Sequence, residues 1–227
     1  MTTRYSAAGA AAVLLFVPLG CGGGAAAPEL DAGDDGGAIA ACSPYVTNVV
    51  SVTYGSGAGF GQDRFPDVVY GPPRGGGLLA GSLDVLSLGN GGSIVVELGT
   101  TIVDGPGADF TVFENPFEIG GDPERPYADV GTVEVSADGV VWHAFSCTAT
   151  SYPYGPCAGW HPVLANADAN GIDPLDPSAS GGDPFDLADL RVDGGPSEAT
   201  HVRITDRADL PGDFDLDAVG VVHGRCR

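Results

Sequence analysis

Asp213, Asp215 and Asp217 alternate with Phe214, Leu216 and Ala218. On an extended chain alternate residues share a face, so this spacing predicts three carboxylates in a row beside an inward-turned apolar face. Like charges so placed raise one another's pKa and destabilise the fold unless something neutralises them. A Gly/Pro-rich segment, Gly181 to Asp189, repeats the theme with Asp183, Asp186 and Asp189. Calcium takes about six to eight oxygens on adaptable loops and needs neither imidazole nor thiolate. The expected site is a structural Ca²⁺ held by Asp183, Asp186, Asp215 and Asp217, with Glu114 and Asn115 alongside. Asp168, Asn170, Asp173 and Asp176 form an oxygen-rich turn that is a possible second metal loop. The competing reading is a solvated acidic rim in which Asp residues make turns.

Other chemistries are poorly represented. His143, His161, His201 and His223 are scattered, with no His-x-x-x-His pair for zinc. Ser56 lacks the Gly-x-Ser-x-Gly spacing of a nucleophile elbow, and Gly55, Gly57, Gly59 and Gly61 match no dinucleotide fingerprint. All nine basic residues are Arg, so P-loop and Schiff-base lysines are excluded. Thirty acidic side chains give a net charge of −21, which repels phosphate backbones and argues against nucleic-acid binding. Tyr152, Tyr154 and Trp160 lie in the Cys147 to His161 segment and are the candidate ligand-binding residues. Aromatic rings stack on sugars, or they cover the end of a sandwich. The expectation is a protein that is not an enzyme. A glycoside-acting enzyme using two carboxylates, for instance Glu114 and Asp217, is the catalytic alternative.

The elements that must position these groups read as strands. Leu83 to Leu88 and Ser93 to Leu98 flank Gly89-Asn90-Gly91-Gly92, the pattern of a hairpin. Ala108 to Glu114 alternates Phe110, Val112 and Glu114 with Thr111 and Phe113. Thr132 to Ser136 and Val140 to Phe145 flank an Asp138-Gly139 turn, and His201 to Thr205 and Phe214 to Val222 close the chain. No window beyond the first residues holds a helical period. With 37 Gly and 18 Pro, the composition suits loops between strands. The fold class is all-β: an antiparallel β-sandwich or jelly roll of eight to nine strands with long Asp/Gly/Pro-rich loops.

Residues 1–20 read as a signal peptide, with Arg4 ahead of a short apolar stretch. Val17-Pro18-Leu19-Gly20-Cys21 resembles the lipobox of bacterial lipoproteins, with Pro18 where Leu is usual, which implies lipidation of Cys21. Ordinary secretion is the alternative. Residues 21–41 are a Gly/Ala/Asp tether, and 42–227 make one domain. Cys42, Cys147, Cys157 and Cys226 remain, an even count in an oxidising compartment. Of three connectivities the expected one is Cys147–Cys157, around a short loop, with Cys42–Cys226 joining the domain's ends.

Leu86 to Gly92, Gly105 to Phe110, Val112-Phe113-Glu114-Asn115-Pro116-Phe117, Gly182 to Leu187 and Phe214 to Val219 resemble a family of bacterial cell-surface proteins, often lipoproteins. Val133 to Trp142 and Val202-Arg203-Ile204 are similar to discoidin-type, galactose-binding-like jelly rolls. The resemblance implies a sandwich with a structural calcium and a sugar- or surface-binding role. The expected protein is exported, anchored in the cell envelope (by resemblance the outer membrane) through its N-terminal lipid. It acts as a calcium-stabilised binding module for carbohydrate or envelope polymer. A structural envelope protein without a small-ligand site is the alternative.

Overall fold

The structure, a computed structural model, describes residues 42–227. The expected signal peptide, lipidated Cys21 and tether lie outside the described residues. Those described form thirteen strands in chain order. The first six are β1 (Val46–Thr53), β2 (Leu86–Ser87), β3 (Ser93–Val103), β4 (Phe110–Phe113), β5 (Phe117–Glu118) and β6 (Pro126–Tyr127). The remainder are β7 (Gly131–Ser136), β8 (His143–Ala144), β9 (Asp183–Phe185), β10 (Glu198–Asp206), β11 (Asp215–Leu216), β12 (Ala218–Val221) and β13 (Gly224–Cys226).

The larger sheet runs β1-β3-β10-β7-β8, with β13 also on β3; the smaller runs β12-β4-β9. Every pairing is antiparallel. Alternation explains the larger sheet. Val202 and Ile204 on β10, Val133 and Val135 on β7, and Ile94, Val96 and Leu98 on β3 are buried. Between them Arg203 and Glu134 pair across the outer face, and the Arg203 guanidinium lies 4.4 Å from the Trp142 ring centre. The smaller sheet reads differently, because all four residues of its central strand β4 are buried. Phe110 stacks on Phe185 at 5.2 Å between ring centres, and Phe145 leans on Phe185 at 4.8 Å. These rings join Ile94, Val96, Val202 and Ile204 in one core between the two sheets. Each such side chain contributes roughly 1.5–3 kcal/mol by burial.

The all-β antiparallel sandwich is the one the sequence predicts, but it contains more and shorter strands than eight or nine. The 83–98 segment shows why. Its turn forms, with Gly89 and Gly91 at positive φ and Gly92 N–H donating to Gly89 O at 2.8 Å. Its flanks do not pair with each other: β2 pairs with β11, while β3 lies between β1 and β10. Leu86 and Leu88 are both buried, and Leu88 N–H donates to Phe214 O, so this strand turns away into the core.

Two disulfides fasten the periphery, with the pairing expected from the sequence. Cys42–Cys226 joins the two ends of the described chain, where β13 runs beside β3. Cys147–Cys157 closes the aromatic loop.

Candidate functional site

β5 and β6 pair as a separate two-stranded ribbon, and Phe117 stacks on Tyr127 across it at 5.1 Å and 8°. Tyr127 forms one wall of a cavity of about 230 Å³ whose other lining residues include Ile119, Tyr154, Pro211 and Asp129. Tyr154 comes from the Cys147–Cys157 loop. It packs edge-on against Trp160 at 6.4 Å, as Tyr152 does at 5.8 Å, and the Trp160 indole N–H is held by the Cys157 carbonyl at 3.0 Å. The three aromatics singled out in the sequence therefore make one cluster, of which Tyr154 lines the cavity.

Asp129 enters the cavity from the short link between β6 and β7, and two glycines let it do so. A Cβ on Gly159 would sit 2.0 Å from the Asp129 carbonyl oxygen, and one on Gly212 would sit 1.8 Å from Asp129 Oδ1. Both glycines have positive φ, so any other residue there meets strain as well as collision. Gly131 and Ala158 exchange backbone hydrogen bonds at 2.9 and 3.0 Å, which fixes the Asp129 backbone against this loop.

Behind Asp129 lie more carboxylates. Glu114 follows β4 and is 1% exposed; its Oε1 accepts the Asp215 N–H at 3.1 Å, but its Oε2 has no partner. Asp215 Oδ1 is likewise buried without a partner, while Asn115 Nδ2 donates to Ser82 O at 3.1 Å and to Asp215 Oδ2 at 3.5 Å. Burial, then repulsion from Asp129 and Asp215, pushes the Glu114 carboxyl well above the usual range. Asp129 is pushed up to about 7 by burial and then by Asp215, Asp213 and Asp206. Burial also raises Asp215 and Asp206. Asp206 ties the Gly89–Gly92 turn to the residue ahead of β11, accepting from Gly91 N–H at 2.7 Å and Phe214 N–H at 2.8 Å.

The structure divides the residues of the expected calcium site among four places. Asp215, Glu114 and Asn115 meet as described. Asp183 accepts from Gly159 N–H at 2.6 Å and Trp160 N–H at 3.2 Å and faces His161 Nδ1 at 2.7 Å. Asp186 caps the 3₁₀ turn Leu187–Asp193 through Ala188 N–H. Asp217 receives the Arg74 N–H on both oxygens, at 3.1 and 2.9 Å. It does not share a strand face with Asp215, because the chain passes between them from the β2–β11 ribbon to the β4–β12 pair. In the expected second loop the oxygens serve local turns. Asn170 accepts from Ile172 N–H, Asp173 from Leu175 N–H and Asp176 from Ser178 N–H, while Asp168 pairs with Arg74. Glu114 and Asp217, the pair named for glycoside chemistry, are both buried, 1% and 2% exposed.

Two other features compete for attention. Asp104, Asp109 and Asp186 have oxygens within 4.8 Å of one another, the one such trio among the described residues. Asp109 is already filled: it accepts from Gly105 and Leu187 N–H, both at 2.8 Å, and faces His223 at 3.0 Å. It is a strut of the fold. A larger cavity, about 470 Å³, is lined by Asp63, Arg64, Asp67, Val68, Arg74 and Asp84. It has no aromatic wall, and Asp84 already bridges both arginines. The Tyr127–Tyr154 cleft is smaller but combines stacking surfaces with a polar floor. Asp129 and Tyr127 went unnoticed in the sequence, where neither stands in an acidic or aromatic run. The chain matches no protein-family model, no curated protein and no solved structure.

Proposed function

We propose that this chain is an exported, lipid-anchored surface module that binds carbohydrate or envelope polymer without acting on it. The observation that supports the reading is the cleft between Tyr127 and Tyr154, floored by Asp129. Two tyrosine faces offer apolar stacking surface, and a carboxylate between them accepts hydroxyl hydrogen bonds, the combination that suits a pyranose ring. A volume near 230 Å³ fits one such ring. The rigid backing of the cleft argues for a preorganised site, since Tyr127 is stacked on Phe117 and Tyr154 is held by Trp160. Two disulfides accord with an oxidising, extracytoplasmic setting. Binding of the intact protein to a glycan array and to isolated envelope polymers tests this. Signal that disappears in Tyr154→Ala supports the cleft; a blank array and no polymer retention would reject it.

A further inference from the structure

The Tyr127–Tyr154 cleft holds one carboxylate and no cation. Asp129 is its single charged lining residue, set among Ile119, two prolines, two tyrosines and small residues. Among the described residues no ion pair and no hydrogen bond reaches the Asp129 side chain. Other enclosed acids are answered: Asp109 and Asp183 each take backbone N–H groups and a histidine, and Asp206 takes two N–H groups. Arg125, the nearest arginine in sequence, is exposed and lies outside the cleft lining. The potential at Asp129 is negative beyond its own charge, since Asp215, Asp213 and Asp206 add to burial in holding its proton. A concave site lined by one sign of charge concentrates the opposite ion.

We propose that the sugar this cleft takes is cationic, a hexosamine unit whose free ammonium donates to Asp129 while its ring lies against Tyr127 and Tyr154. The inference rests on the carbohydrate reading and narrows it. A neutral hydroxyl satisfies an oxygen of Asp129 but leaves its charge uncompensated in a half-enclosed site. An ammonium supplies both the donor and the counter-charge, and such charge-assisted bonds are about twice as strong as neutral ones. The tyrosine faces work in the same direction, because the ring quadrupole attracts a nearby ammonium as well as offering apolar surface. An acidic sugar meets repulsion, and an N-acetylated one carries no charge to pair. The carboxylate is also placed in advance: Gly159 and Gly212 admit Asp129, and the Gly131–Ala158 hydrogen bonds hold the backbone beside it.

The test titrates the full chain, near neutral pH and at physiological ionic strength, with a glucosamine trisaccharide, its fully N-acetylated counterpart and the matching glucose trisaccharide. The free-amine probe should bind about tenfold tighter than either of the others. That contrast is read on the parent protein and needs no variant to fold. Asp129→Asn should remove the preference. Asp189→Asn, which lowers the net charge equally at an exposed position of the Leu187–Asp193 turn, should keep it to within about twofold. Equal binding of the amine and N-acetyl probes overturns the inference and leaves the carbohydrate reading standing. A preference that survives in folded Asp129→Asn is unspecific attraction to an acidic protein and overturns the site. No binding of any probe also overturns the inference, and the carbohydrate reading falls with it where the wider glycan array is blank as well.

Discussion

The backbone N–H of Asp215 donates to Glu114 Oε1 at 3.1 Å, while Oε2 of the same buried carboxylate meets no donor. Half of this side chain is satisfied by the strand it packs against, and half faces other acids. Burial holds this carboxyl well above the usual carboxylate range, so the folded state keeps a proton that the unfolded state releases, and stability falls as pH rises. Glu114→Gln is uncharged at every pH and should therefore lose less stability than the parent between mildly acidic and alkaline solution. Urea melts across that range check the difference.

Asp217 gives a pH dependence with a definite sign. Burial raises its carboxyl from the ordinary 3.8 to about 8, with Asp84 adding to the rise and the Arg74 N–H and guanidinium opposing it. The folded state thus holds a proton that the unfolded state has released between those values. Stability should fall as pH rises from about 4 to 8 and level off above, by an amount on the order of a few kcal/mol. Asp217→Asn should shrink that slope and melt no lower than the parent at pH 8. A slope equal in both proteins, followed by thermal denaturation in chelator, would contradict this.

Tyr154→Ala should weaken ligand binding by about 1–2 kcal/mol, roughly five- to thirtyfold, since it removes one stacking wall of the cleft. Tyr154→Phe should keep most of the affinity. The melting temperature of both should stay near that of the parent, because Tyr154 packs on a loop that the Cys147–Cys157 bridge already holds.

Removing Cys42–Cys226 should cost about 2–5 kcal/mol, as the bridge spans a sequence separation of 184 and so restricts nearly the whole unfolded domain. Removing Cys147–Cys157, with a separation of 10, should cost less and act on the cleft more. Differential scanning calorimetry of the paired Cys→Ser variants separates the two.

Much of the frame is legible from local patterns. Alternation in β10 and β7 places Val202, Ile204, Val133 and Val135 inward, as the structure has them, and the even cysteine count leads to the bridges found. Glu114 and Asn115 hydrogen-bond to Asp215, three residues that the expected calcium site groups without a local pattern to join them. The remaining carboxylates illustrate what alternation cannot see. Asp217 is the residue at which the chain leaves one pairing for another, so the period-two argument breaks between it and Asp215. Asp129 stands alone in sequence, in Tyr127-Ala128-Asp129-Val130, and reaches the cluster only because Gly159 and Gly212 let backbone pass close to it. A long-range approach of this kind leaves no periodic trace; the glycines are its only local sign.

The bridge between Cys42 and Cys226 also governs how the domain bears load. A pull applied between its two ends enters at one cysteine and leaves at the other, through covalent bonds spanning a Cα separation of 4.9 Å. The two sheets hang from that link as a closed loop and carry almost none of the tension. Force reaches the β-pairings when it is applied within the loop that this bridge closes, as at the cleft. A captured polymer that drags on Tyr127 and Tyr154 would load the β5–β6 ribbon and the Cys147–Cys157 loop first, while the ends stay clamped together.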